Sequence, residues 1–208
     1  MSKKLNNLLK ILENSNANIY RKKLDTTSLV DEKLLTKYVS KTSSNVLKND
    51  VSNLMSDLGL KTFVTRTGNN NLRMDALSKI ESNIYAVEIE KLADLDSPRN
   101  ILDSLAVLHS RYEISKSCLG GIIVVSTFPS KRSEFWEVVN DIQKVTKLNI
   151  YIIPLYALII LQNENYRLSN FLNAFRFNQK FSFRNSLEEI IDRKIELSNP
   201  NKLIEAEK

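Results

Sequence analysis

Apolar residues recur along the chain with two different periods, and the point where one gives way to the other outlines the fold. Leu5, Leu8, Leu9 and Leu12 fall on one stripe of a helix over residues 3 to 14, and a second helical stretch runs from about 29 to 40. A third, from about 43 to 58, carries Val46, Val51, Leu54, Met55 and Leu58 on one face, with Gly59 placed to end it. The period then drops to two. "KTFVTRT" reads as a strand, "GNNN" as a turn, "LRMDALSKI" as a second strand, "ESN" as a turn and "IYAVEIEK" (84–91) as a third strand, which predicts an antiparallel meander. Ser97-Pro98 opens a helix over about 99 to 116, with Ile101, Leu105, Leu108 and Tyr112 turned to a core. "LGGIIVVSTF" is a fourth strand, apolar on both faces and therefore central. Residues 132 to 147 form a helix around Phe135, Trp136, Val139, Ile142 and Val145, and "NIYIIPL" supplies a fifth strand. The remainder reads as helical, with Ser186 and Glu189 as a capping box for the last helix.

Helix-connected strands three, four and five require parallel neighbours, whereas the meander requires antiparallel ones. The expected fold class is therefore α/β: a mixed five-stranded sheet flanked by helices, with additional N- and C-terminal helices. Residues 43–160 would form the core, with 1–42 and 161–208 as helical extensions packed into the same compact domain. The 208 residues are 42% hydrophobic and 26% charged, which suits a globular chain with a sizeable core. The formal charge of +6 favours a polyanionic partner. A single cysteine, Cys118, excludes an internal disulfide, and with a single histidine, His109, a zinc site or a Ser-His-Asp hydrolase has little to build on. Any bound metal must be held by carboxylates. The start of the chain lacks the apolar stretch of a signal peptide. The longest apolar run, "LNIYIIPLYALIIL", is short for a bilayer and contains Pro154, so a soluble intracellular protein without a membrane partner is expected.

The third strand raises a chemical question. In an extended chain Ile84, Ala86, Glu88 and Glu90 share one face, and Tyr85, Val87, Ile89 and Lys91 the other. Two carboxylates about 6.6 Å apart on one face resist joint ionisation unless a positive charge joins them. Asp75 lies in the second strand with twelve residues between it and Glu88, so a meander can bring all three carboxylates together. Oxygen-only donors suit Mg²⁺ or Mn²⁺ rather than zinc. Bland alternatives stand beside this one. The glutamates would be unremarkable on the solvent face of an edge strand, Asp75 has Arg73 and Lys79 nearby to pair with, and Cys118 reads as a small buried hydrophobe.

An acidic residue followed on the next strand by an acidic-x-Lys triplet, within helix, three strands, helix, strand order, resembles the PD-(D/E)XK nuclease superfamily. That superfamily includes restriction endonucleases and archaeal Holliday-junction resolvases. Asp75 matches its first acidic residue, Glu88 the second, and Glu90 the place of the lysine, so that "MD" and "EIE" stand for Pro-Asp and acidic-x-Lys. The resemblance covers about residues 43 to 155 and implies a restriction endonuclease-like sheet. It also implies a metal-dependent endonuclease acting on DNA phosphodiester bonds, with selectivity for junctions or branched DNA among the forms the superfamily takes. It further implies Mg²⁺ or Mn²⁺ held by Asp75, Glu88 and the carbonyl of Ile89, with Glu90 holding a second ion or acting as general base. Lys91 is one residue out of register with the family's lysine and takes that role only if a bulge re-aims it. Asp50 corresponds roughly to an acidic position on the preceding helix. Arg66, Arg73, Lys131, Arg132, Arg176 and Lys180 are the expected DNA phosphate contacts. Phe171, Phe175 and Phe181 suit stacking, core or a homodimer interface equally. The rival reading is a catalytically inactive nucleic-acid-binding module on the same fold.

Overall fold

The switch of period after Gly59 marks the beginning of the sheet in the computed structural model, which describes residues 3–17, 24–65, 72–178, 182–197 and 200–206. Before the switch lie α1 (Lys3–Ala17), α2 (Glu32–Lys41) and α3 (Ser44–Asp57). The Asp31 carboxylate accepts from Lys33 and Leu34 N–H at the start of α2, and the Ser43 hydroxyl accepts from Val46 N–H at the start of α3. Gly59, at φ +95°, takes the left-handed conformation that closes α3. Strands β1 (Lys61–Val64), β2 (Ala76–Ile80) and β3 (Asn83–Leu92) then form the antiparallel meander. Helix α4 (Asp96–Tyr112) crosses to β4 (Leu119–Thr127), and α5 (Glu134–Thr146) crosses to β5 (Asn149–Pro154). Both crossovers make parallel pairs, so the sheet is mixed and its strands lie in the order β1-β2-β3-β4-β5.

The two faces are covered differently. Gly121 of β4 carries α4 so closely that a Cβ there would collide with Cγ2 of Ile101. Gly121 is in register with Ala86, so α4, with α5 packed beside it, covers the face that also holds Glu88 and Glu90. Lys91, of the opposite parity, reaches the carbonyl of Thr42 between α2 and α3, which puts α3 on the other face. The long apolar run divides into β5 and α6 (Leu155–Asn163), with Pro154 as the last strand residue and the helix N-cap. Residues 155–161 are buried all round, which explains a helix without a polar face. No helix among the described residues is long and apolar enough to cross a membrane.

Three expectations are corrected. The last long helix, α8 (Phe183–Ile191), is capped by Ser182, whose hydroxyl accepts from Asn185 N–H, and Ser186 lies inside it. The stretch between α6 and α8 is mostly short turns, α7 (Leu168–Phe171) and a 3-10 segment, before the chain ends with α9 (Pro200–Leu203). Strand β2 begins at Ala76 rather than 72, for a reason that belongs to the site itself. Both margins of the sheet are met by side chains. The Ser56 hydroxyl bonds the N–H and C=O of Thr62, and the Asn16 amide those of Val64. Beyond β5, Gln143 accepts from Ile150 N–H, and Phe177 N–H donates to Ile150 C=O.

The Gly121–Ile101 approach is testable. Gly121→Ala should cost about 1–3 kcal/mol through overpacking, read as a lower urea midpoint. An unchanged midpoint would show that Ile101 can move aside.

Candidate active site

Asp75 stands one residue before β2, where β1, β2 and β3 begin to diverge. Its N–H still donates to Val87 C=O (3.0 Å), and its C=O accepts from Thr65 N–H (2.9 Å), so its backbone is held from both sides. Its side chain then continues the ladder, since Oδ2 accepts from Ile89 N–H at 2.9 Å, a donor that a longer β2 would have met with a carbonyl. The strand ends at 76 because a carboxylate takes over this bond. The other oxygen, Oδ1, is bonded by the ammonium of Lys48 from α3. The paired register ends at Ala76↔Val87; Asp75 N–H turns to Val87 C=O, which offsets the ladder there, and from this position the Asp75 charge reaches Glu88.

Glu88 is only 3% exposed, and its Oε1 has no hydrogen-bond partner. It is the one ionisable side chain in that condition among the described residues. Burial, then the charges of Asp75 and Glu90, push its carboxyl up to about 9 against the opposing pull of Lys48. Glu90, two residues on and half-buried, is pushed up to about 7 by burial, Asp75 and Asp94, opposed by Lys48 and a hydrogen bond from Ser97. Asp94 is itself the cap of α4, accepting from the N–H groups of Asp96 and Ser97 and from the Ser97 hydroxyl. Glu188 shows the opposite case. It is nearly as buried, yet Ile195 N–H, Lys194 and Arg184 all bond it, and its carboxyl is held down to about 2. At Glu188 these bonds outweigh burial, whereas at Glu88 burial and the neighbouring carboxylates prevail.

The structure thus brings together Asp75, Glu88 and Glu90, with the Ile89 peptide beside Asp75. Their mutual electrostatic influence reaches across the fork. Among the described residues no three acidic, histidine or cysteine side chains are gathered into a ready metal shell. Lys91 is not part of the group: strand alternation holds without a bulge, and its ammonium is bound to Thr42 C=O on the other face. Asp50 is taken by Tyr38, whose hydroxyl donates to it at 2.6 Å. Lys48 is the residue that sequence reasoning missed. It lies one position after buried Leu47 and three before buried Val51, a lysine on the margin of an apolar stripe, and that is the signal that was available. Asp94 and Ser97 were missed as well, because the helix start was placed at 99.

No known family model matches this chain, and neither does any of the curated proteins compared with it. The assignment of chemistry therefore rests on the residues.

The expected phosphate contacts separate in space. Arg73 makes an exposed 3.6 Å pair with Asp103 of α4, which holds it only weakly. Lys131 and Arg132 are exposed after β4, at the sheet end where Glu90 lies, since Glu90 is in register with Val125. Arg176 bridges to Tyr151 beyond β5, two strands from β3. Arg66, Lys180 and Phe181 lie outside the described residues. Phe175 is core and Phe171 packs edge-on against Tyr166. Cys118 is half-buried and packs against the core.

A pH dependence follows. Glu88 and Glu90 bind protons more tightly folded than unfolded, so their contribution to stability is full below about pH 4.5. It falls as pH rises through about 7 and then about 9. Glu88→Gln removes the larger part of this loss. Its melting temperature should exceed the wild type's by several degrees at pH 8 and hardly differ at pH 5, measured without divalent ions. A gain equal at both pH values would mean that Glu88 does not titrate as its surroundings require.

Proposed function

We propose that this protein is a metal-dependent endonuclease acting on DNA, with its centre at Asp75, Glu88 and Glu90. The observation that carries the reading is the buried, unpartnered Oε1 of Glu88 within electrostatic reach of Asp75. A chain seldom buries such an oxygen without a ligand to meet it. The donors fit a hard cation: all are oxygens, and the carboxylates lie within electrostatic reach of one another. Asp75 and Glu88 would hold Mg²⁺ or Mn²⁺, with the Ile89 carbonyl and Glu90 beside them. The bound ion would supply an acidified water and charge neutralisation at the scissile phosphate.

The remaining roles fall to the chain's own groups. Glu90, with a carboxyl near neutrality, is suited to accept the proton of an attacking water. Lys48, already on Asp75, supplies the positive charge that Glu90 cannot supply at the resembled family's lysine position. Arg73, Lys131 and Arg132 would contact phosphates and contribute affinity without sequence selectivity. The second reading, an inactive nucleic-acid-binding module, is favoured by the same Lys48 contact, because an ammonium cation is then already in place and no metal is needed.

Cleavage of supercoiled plasmid in Mg²⁺ or Mn²⁺, with EDTA as control, decides between them. Activity in the wild type should fall at least about a hundredfold in Asp75→Asn and in Glu88→Gln, a typical loss for a group acting in the transition state. Glu90→Ala should be severe, Lys48→Ala about tenfold or worse, and Lys91→Ala mild. DNA binding with no cleavage in either metal would establish the inactive module instead.

A further inference from the structure

Two cavities lie on either side of Phe177 and Asn178, along the outer side of α5, and their linings differ in chemistry. The first, of about 370 Å³, is walled by Trp136, Phe177 and Phe183, with Lys131, Glu137 and Glu205 at its border. Trp136 and Phe177 stack at 5.6 Å with their planes 21° apart, and Phe183 lies 6.2 Å from the same indole. One ammonium against two carboxylates makes this a poor place for a phosphate. Planar rings with carboxylate acceptors suit an aromatic heterocycle bearing N–H groups. The second cavity, of about 500 Å³, is lined by Lys144 and Arg176 with the amides of Asn140, Asn173 and Asn178. Two exposed cations and several amide donors, without a carboxylate, suit a phosphate. Gln143 fixes the ridge between them, donating to Phe177 C=O at 3.0 Å while accepting from Ile150 N–H.

The geometry points to a binding track for single-stranded nucleic acid over α5, in which a base enters the Trp136–Phe183 cavity while the adjoining backbone phosphate meets Lys144 and Arg176. A duplex cannot use it, because its bases are stacked and paired inside. Sequence-tolerant stacking with a cationic groove is the usual chemistry of single-strand recognition. The track begins at the sheet end that holds the candidate active site. Leu92 of β3 is in register with Thr127, and Phe128, the next residue, stacks on Trp136 and Phe183. A strand leaving Glu90 therefore passes Lys131 before reaching the aromatic cavity. This inference rests on the nuclease reading only for what happens to the strand. Binding itself requires neither metal nor cleavage.

Trp136 is the only tryptophan in the chain, so its fluorescence reports on the cavity. The full-length protein, in EDTA, should show saturable quenching by a short oligothymidylate and at least about tenfold weaker binding of a duplex of equal length. Ala206→Phe, which fills the aromatic cavity from its border, should weaken the oligonucleotide about tenfold while leaving the circular dichroism spectrum unchanged. Neutralising Lys144 and Arg176 together as Lys144→Gln and Arg176→Gln should reduce the slope of log affinity against log salt by about 1.4 if both meet phosphates. The track is overturned by no quenching, by equal affinity for duplex, or by an Ala206→Phe protein that folds and binds as well as the wild type. Because this assay measures no cleavage, a protein that is inactive on plasmid yet quenches would lose the nuclease reading and leave the track standing.

Discussion

The bond from Ile89 N–H to the Asp75 carboxylate is the contact on which the candidate site depends. It ends β2, because the side chain replaces the next carbonyl of the ladder, and it fixes one carboxylate at the divergence of two strands. Glu88, the residue before Ile89 on β3, then lies within electrostatic reach of that carboxylate. Two like charges in a buried position oppose folding, and the chain answers with a single ammonium, from Lys48, that reaches Asp75 but leaves one oxygen of Glu88 unmet. The cost is tolerated because hydrophobic contacts on both faces hold the sheet around it: Ile84, Ala86 and Val87 are fully buried on the same strand.

The contrast with Glu188 gives this position its meaning. Glu188 receives a backbone N–H, an ammonium and a guanidinium, and so joins α8 to the segment around Ile195 as a structural carboxylate. Glu88 has the same chemistry and a similarly small exposure, but lies deeper and without that provision. The layers around it divide the work. The layer with α3 brings the cation, the layer with α4 brings Ser97 and the Asp94 cap, and the sheet between them holds the carboxylates. Of the exposed basic residues, Lys131 and Arg132 follow β4 at this same sheet end, and Lys144 and Arg176 lie farther off beside β5.

Much of this was legible in the sequence, because the periods of burial are local. All five strands, the meander, the two crossovers and the interior place of β4, one in from the margin, follow from alternation, turns and apolar runs. So does the outward turn of Lys91, since parity along a strand needs only counting. The bounds of β2 and α4 were misplaced because they depend on side-chain bonds, from Asp75 and Asp94, that substitute for backbone ones and carry no periodic signal. Lys48 was missed for a related reason. Its partner lies on another element, so its meaning comes from the packing of α3 against the sheet. The paired cavities along α5 depend on the return of the chain at Phe177 beside β5, a long-range contact that "FLNAFRFNQKF" does not announce.

The margins of the sheet carry a consequence for how copies of this chain can meet. The outward N–H and C=O groups of Thr62 and Val64 are bonded by Ser56 and Asn16, and those of Ile150 by Gln143 and Phe177. An open strand edge is a template for a neighbouring chain, and it invites both continuous-sheet dimers and fibrous aggregation. At these positions the template is already filled from within the molecule. Adding a strand at either margin would first have to displace the two groups that clasp it, Ser56 and Asn16 at β1 or Gln143 and Phe177 at β5.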